Sequence, residues 1–355
     1  MSNSEYYNKY IKYKIKFLNL QSEINKHYFK GGSRPIKSLE DHILNLTTLE
    51  KLIEYVNIYG MPLILVIKIL NTKINRSRKL TGLLLESIKE DEYKIIFINN
   101  MNLDIDDINK IVTYQDKIIS LNLSNCNRLI DLSPLNKFVH LTSLNLSRNK
   151  QITDFSSLSG LINLTSINLS RNKQITDFSS LSGLINLTSL NLSLCTKFNN
   201  LNPLSGLVNL TSLDLSYTDI SDLNPLSGLV NLSSLDLSGL EISDSRPLSR
   251  LVNLTSLNLS LTDIDDLNPL SGLINLTSLN LSLTFISDLN SLSGLVNLTS
   301  LDLSQSIQFT DLSPLSGLVK LTSLNLIGCN QITNLSPLKK LYNSGLFIES
   351  NLPMS

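Results

Sequence analysis

The sequence predicts an α/β solenoid: a parallel β-sheet lines a concave face, 3₁₀ turns and loops form the convex side, and a small, mostly helical N-terminal region precedes them. Three observations predict it. The 355-residue chain holds 76 leucines and no alanine, far outside ordinary usage. From Ile118 to Asn343 it falls into ten consecutive units of 22 or 23 residues, and a period of that length is the signature of stacked repeats. Within each unit two hydrophobic periods follow one another, the first of two residues and the second of three.

One unit, Leu210 to Asn231, reads LTSLDLSYTDISDLNPLSGLVN. Leu213 and Leu215 alternate with polar neighbours, the pattern of a strand with one buried face. Ile220, Leu223, Leu226 and Leu229 then recur every third residue, which a 3₁₀ helix presents on one side. Proline occupies the matching place in seven units, as in Asn224-Pro225 and Ser313-Pro314. A capping side chain followed by a proline is expected to open the helical turn. Glycine follows in seven units, Gly160 and Gly228 among them, where the turn is expected to close tightly. The second and third units differ only at Leu144 and Ile167, a mark of tandem duplication. Each unit offers about seven apolar side chains, at roughly 1.5–3 kcal/mol each when buried. One unit cannot hide them alone; stacked neighbours can.

Outside the repeats the segments are less regular. Residues 1–37 carry 8 basic and 2 acidic side chains, and the zero net charge divides into +4 over 1–117 and −4 over 118–355. Tyr6, Tyr10, Tyr13, Phe17 and Leu20 are spaced four and three apart, so 1–30 reads as a basic, aromatic amphipathic helix. It suits a membrane surface, a partner, or packing within the protein. Gly31-Gly32-Ser33 marks a linker over 31–35, and 36–92 reads as a helical region. Residues 93–117 read as a degenerate N-terminal capping repeat, 118–343 as the ten repeats, and 344–355 as a C-terminal cap. In that cap Leu346 and Ile348 are expected one period beyond Leu324 and Leu326.

Several function classes are disfavoured. Zero net charge argues against a general nucleic-acid binder. The first residues are threaded with lysines and lack a signal-like apolar core, and the longest apolar run, Met61 to Leu70, includes Lys68. A cytoplasmic protein that is neither secreted nor membrane-spanning is therefore expected. Cys126, Cys195 and Cys329 share the ninth position of their units. They are three and six units apart, about 14 Å and 29 Å by strand spacing. A disulfide needs Cα atoms within about 7 Å, so three inert thiols are expected. His27, His42 and His140 lie in separate segments, and no HExxH, paired CxxC, P-loop or GxGxxG occurs. Asp104-Ile-Asp106-Asp107 and Asp263-Ile-Asp265-Asp266 read as solvated turn carboxylates, the second at a place where other units carry Ile-Ser-Asp. No catalytic residue, cofactor or metal site is expected.

The pattern LxxLxLxxN/C followed by IxxLxPLxxL resembles the leucine-rich repeat, over about two-thirds of the chain. The 22-residue form with NPLSGLVNLTSLDLS is most similar to that of bacterial internalins and a related phosphatase regulatory subunit. The resemblance implies a horseshoe, an inward-pointing ninth position, and protein–protein interaction as the usual role. It implies no shared catalytic residues. Separately, NKYIKYKIKFLNLQ resembles an N-terminal segment common among giant-virus proteins, which implies a viral protein in the host cytoplasm with a host protein as one candidate partner.

The outward strand positions are plain. The third is Ser in all ten units, the second Thr in eight, and the fifth Asn except for Asp214, Asp236 and Asp302. Variation gathers at the eighth position: Asn125, Arg148, Arg171, Leu194, Tyr217, Gly239, Leu261, Leu283, Gln305 and Gly328. If it points outward, Leu194, Tyr217, Leu261 and Leu283, with Phe285 beside them, form an apolar rim flanked by Arg148 and Arg171, suited to a protein partner. If it bends inward, the same residues are core. The function expected is a non-enzymatic interaction scaffold whose partner and oligomeric state the sequence leaves open. The alternative is a substrate adaptor of a ubiquitin-ligase-type complex, docked through 36–92. A surface adhesin and an enzyme rank below both.

Overall fold

The computed structural model describes residues 95–97, 105–112 and 115–352. The amphipathic segment 1–30, the linker 31–35 and the helical region 36–92 lie outside the described residues. Internal contacts divide the chain into two units, Met1–Met101 and Asn102–Ser355. Of the first, only the short strand Ile95–Phe97 is described.

The second unit opens with α1, Ile105–Val112, which buries Ile108 and packs on the 3₁₀ turn Ser133–Lys137. Eleven parallel strands follow, from β1 (Ile118–Asn122) to β11 (Phe347–Glu349), each beside its sequence neighbours. Every repeat pairs like with like: Ser189 lies against Ser212, Leu190 against Leu213, Asn191 against Asp214. Ten 3₁₀ turns return the chain between strands, as the spacing of three requires. The strand leucines and the apolar residues of the turns meet in one interior, where Leu213, Leu215, Ile220, Leu223, Leu226 and Leu229 are all buried. In units two, three and four phenylalanine joins that interior. Phe178 stands 5.7 Å from Phe155 and 4.6 Å, edge-on, from Phe198.

The difference between 23 and 22 residues is absorbed where the strand ends. Cys195 and the buried Phe198 are separated by Thr196 and Lys197, whereas Thr218 and the buried Ile220 are separated by Asp219 alone. Strand register is untouched, so every leucine keeps its face.

Three local expectations are corrected. The residue before proline does not cap the 3₁₀ turn, and neither does the N-cap position, which makes no side-chain capping bond whether it is leucine, as at Leu223, or serine, as at Ser245. The cap comes from two residues ahead of the turn's first amide. Asp222 Oδ1 accepts the Asn224 N–H at 2.9 Å, Asp154 that of Ser156 at 2.7 Å, and Asn334 that of Ser336 at 2.8 Å. Proline cannot donate, so the amide before it is the one that needs an acceptor. The glycines of the turn are likewise not sterically required. An added Cβ would meet nothing within 4 Å at Gly160, Gly183, Gly206, Gly272 and Gly317, and only ordinary contact at 3.7 Å at Gly228 and Gly294. Finally, Ile348 pairs with Leu324 rather than Leu326, and Phe347 with Ser323. The short helix α2, Lys339–Asn343, takes up two extra residues before β11. A two-residue shift preserves the inward face, and Leu346 is still buried.

Candidate functional site

The uniformity of the strand face has a physical cause: its polar side chains are bonded to the backbone they decorate. Second-position hydroxyls donate to the second-position carbonyl of the preceding unit, Thr211 Oγ1 to Thr188 O at 3.0 Å and Thr277 Oγ1 to Thr255 O at 3.0 Å. Fifth-position side chains accept the N–H two residues on, as Asp214 Oδ1 does from Ser216 at 3.0 Å. Some also link units, Asn191 Nδ2 to Asp214 Oδ2 at 2.9 Å. Closing asparagines reach back one unit, Asn209 Nδ2 to Ile185 O at 2.9 Å. With the threonines, these asparagines line a groove of about 670 Å³ along the edge where strands begin, its walls running from Asn163 to Asn253. An apolar ridge follows the same edge: the residue before each closing position, from Val139 through Ile185 and Val230 to Val319, is exposed. Sequence reasoning missed it, although its signal was present as an unbroken Val or Ile at that place.

The ninth position points inward, as the family resemblance implies. Asn172 Nδ2 donates to Leu146 O and Leu169 O at 2.9 and 2.6 Å, and its Oδ1 accepts the Asn149 N–H at 3.0 Å. Thr218, Thr262 and Thr284 each donate to the carbonyl three residues back. Cys195 Sγ lies 3.3 Å from Leu169 O and Cys329 Sγ 3.0 Å from Leu303 O, the same job done by a weaker donor. All three cysteines are buried thiols. Burial pushes Cys195 and Cys329 up to about 11. Leu240 breaks this polar ladder.

The eighth position is the turn itself. All ten of its residues have left-handed backbone: φ is between +55° and +63° at Asn125, Arg148, Arg171, Leu194, Tyr217, Leu261, Leu283 and Gln305, +71° at Gly239 and +77° at Gly328. In the first nine units the eighth-position N–H bonds the seventh-position carbonyl of the next unit, Tyr217 to Ser238 and Leu261 to Ser282 at 2.9 Å. That geometry throws the side chain outward. It also explains which residues vary: none of the ten is β-branched, the class that left-handed backbone tolerates least. Tyr217 is 44% exposed, Leu261 and Leu283 46% each, and Phe285 54%. Arg148 and Arg171 are exposed and Leu194 is half-buried. The inward alternative therefore does not hold for Tyr217, Leu261 and Leu283. The apolar strip is not continuous, because Gly239 interrupts it.

The carboxylates of 263–266 serve their turn. Asp263 Oδ1 accepts the Ile242 N–H at 2.7 Å, and Asp266 Oδ1 that of Asn268 at 2.8 Å. Among the described residues the one close ion pair is Arg246 to Asp244, 2.7 Å, which holds the Asp244 carboxyl at about 2. His140 and Asp116 stand 3.9 Å apart. No described helix is long and apolar enough to cross a membrane.

A family profile described as leucine-rich repeats (two copies) matches residues 116–160 and 296–340. The chain carries leucine-rich repeats. Among solved structures, this repeat protein is similar to an internalin of Listeria monocytogenes, at 26% identity over 77% of this chain and 89% of that one, with a TM-score of 0.63. A leucine-rich repeat protein of Leptospira interrogans matches in fold, at 22% identity over 80% and 76% of the two chains and a TM-score of 0.58. The ectodomain of the Arabidopsis thaliana receptor kinase GASSHO1/SCHENGEN3, solved with CASPARIAN STRIP INTEGRITY FACTOR 2, matches at 26% identity over 59% of this chain and 27% of that one, with a TM-score of 0.51. No curated protein sequence matches the repeat protein significantly.

Proposed function

We propose that this leucine-rich repeat protein is a non-enzymatic scaffold that binds a protein partner through the rim where its strands end. Leucine-rich repeat folds generally mediate protein–protein interaction. The observation that carries the reading is the contrast between faces. Second-, fifth- and ninth-position side chains are committed to backbone ladders, while the eighth position and the exposed turn residues just after it combine exposure with chemical variety. Large apolar side chains exposed beside charged ones are what partner surfaces require. A solenoid solved with a bound factor, as in the receptor kinase ectodomain, supports the class of function. Three interior thiols too far apart to bridge favour a reducing compartment such as the cytoplasm. The ligase-adaptor alternative rests on 36–92 and finds no support in the rim.

The test is a four-site change of Leu194, Tyr217, Leu261 and Leu283 to Asn, which accepts left-handed backbone and removes the apolar strip. Partner recovery in cross-linked affinity purification is expected to fall sharply while the thermal midpoint stays put. A large drop in the midpoint would show that these side chains are core, and the reading would fail.

A further inference from the structure

The turns at the end of the strands carry charge in two blocks. Over positions eight to eleven of the first four units stand Arg128, Arg148, Lys150, Arg171, Lys173 and Lys197, with no acidic residue among them. The same positions of units five to seven, three of the four units shortened to 22 residues, carry Asp219, Glu241 and Asp263 with no basic residue; Asp265 follows at position twelve of unit seven, and unit eight is uncharged there. The last two units are neutral there. All ten charged side chains are exposed, and none has an ion-pair partner within the described chain. The apolar rim residues Leu194 and Tyr217 sit where the blocks meet, in units four and five.

A surface that is positive along one half and negative along the other is complementary to its own reversed copy. We propose that the partner of this rim is a second copy of the same chain, docked antiparallel about a two-fold axis passing between units four and five. This rests on the reading of the rim as an interaction surface. Under that symmetry unit two faces seven, three faces six, and four faces five. Arg148 and Lys150 then oppose Asp263 and Asp265, Arg171 and Lys173 oppose Glu241, and Lys197 opposes Asp219. Leu194 meets Tyr217 at the axis, and each of these contacts occurs twice, as a two-fold interface demands. Arg128 of unit one falls opposite Phe285 of unit eight, a cation over an exposed ring. A parallel arrangement would set like charge against like. The neutral turns of units nine and ten fall outside the pairing altogether.

The footprint sets the strength. Eight units about 4.8 Å apart give a strip roughly 38 Å long, and at about 10 Å wide it covers about 400 Å² per copy. Stable complexes bury about 800 Å² per partner. The dimer is therefore weak, reversible and sensitive to salt, because its charges are exposed and screened.

The experiment uses the full chain in sedimentation velocity across a concentration series at low and high ionic strength. The wild type is expected to dimerise at low salt and dissociate as salt rises. One variant carries R148E, K150E, R171E and K173E, and the other D219K, E241K and D265K. Each alone is expected to weaken self-association by at least about tenfold, since several surface pairs are turned repulsive at once. An equimolar mixture of the two restores the dimer as a heterodimer. Unchanged thermal midpoints establish that both variants fold. A wild type that stays monomeric at low salt overturns the inference, as does a mixture that does not associate. If the wild type is monomeric and the four-site Asn variant still loses another protein partner, the second-copy inference fails and the rim reading survives. If dimers persist in both the Asn and the charge variants, the rim is not the interface and both fail.

Discussion

The ring of Tyr217 covers Gly239 of the following unit, so that a Cβ at 239 would fall 2.7 Å from both Cδ1 and Cε1 of the tyrosine. Gly239 is also left-handed, with φ of +71°. Two separate reasons therefore keep a side chain away from this place, and they can be separated. Gly239→Ala is expected to lose about 1–2 kcal/mol from left-handed backbone and a further increment because the ring must swing aside. At Gly328, φ +77°, the obstructing atoms are the end of the flexible Gln305 side chain, so Gly328→Ala should lose little beyond the backbone term. Urea unfolding of the two variants reads the difference. Removing the ring with Tyr217→Gly should bring the cost of Gly239→Ala down to that of Gly328→Ala.

The interior ladder is expected to be graded by the number of bonds each rung makes. Asn172 serves two carbonyls and one amide, whereas Thr218 Oγ1 serves one carbonyl, Leu215 O, at 2.7 Å. At about 0.5–1.5 kcal/mol net per bond, with buried partners left unsatisfied, Asn172→Ala should lose roughly 2–4 kcal/mol and Thr218→Ala about 1. Equal losses in denaturant unfolding would show that the ladder does not distinguish its rungs.

How much of this was legible beforehand differs by position. Leu213 and Leu215 declared a strand because alternation maps directly onto two faces, and Ile220, Leu223 and Leu226 declared a 3₁₀ side for the same geometric reason. The exposed rim at Tyr217, Leu261 and Leu283 was legible only as variation; whether it faced out depended on a backbone sign that no side chain encodes. The absence of β-branched residues among Asn125, Arg148, Leu194 and their equivalents was the readable trace of that sign. Asp222 was hidden as a cap because Asn224, just before Pro225, suggested a cap two residues later. Ile348 was misplaced because a period carries no information about an inserted helical turn such as Lys339–Asn343.

Glycine is not demanded by shape in the 3₁₀ turns, where Gly160, Gly183 and Gly206 have open space and no left-handed φ. Each Gly→Ala change there is expected to stabilise by about 0.4–1 kcal/mol, by narrowing the unfolded ensemble. The triple variant should therefore melt measurably higher than wild type by calorimetry. A lower midpoint would mean the turn closes more tightly than its geometry indicates.

Thiol chemistry follows from burial. Cys195 and Cys329 are buried and both are raised to about 11, so at neutral pH almost no thiolate exists to attack a reagent. Native protein is expected to resist alkylation at both, with labelling appearing only on unfolding. Cys329 is 6% exposed and Cys195 fully covered, so any slow native labelling should begin at Cys329.

The capping carboxylates make acid stability a property of the turns. Asp154 and Asp311 are held below the ordinary 3.8 by the hydroxyls and amides of Ser156 and Ser313, and Asp244 is held at about 2 by Arg246. A carboxyl whose folded pKa is depressed stabilises the fold above its unfolded pKa and loses that contribution as pH falls through the folded value. Stability from these groups should thus be full above pH about 4 and disappear as pH falls toward 2. Asparagine can cap without titrating, as Asn200 does for the Asn202 N–H at 3.0 Å. Asp154→Asn with Asp311→Asn should therefore leave the turns formed but flatten the acid limb, losing less stability between neutral pH and pH about 2 than the wild type does. Thermal midpoints measured across that range decide it: parallel curves for variant and wild type would mean that the caps do not govern acid unfolding.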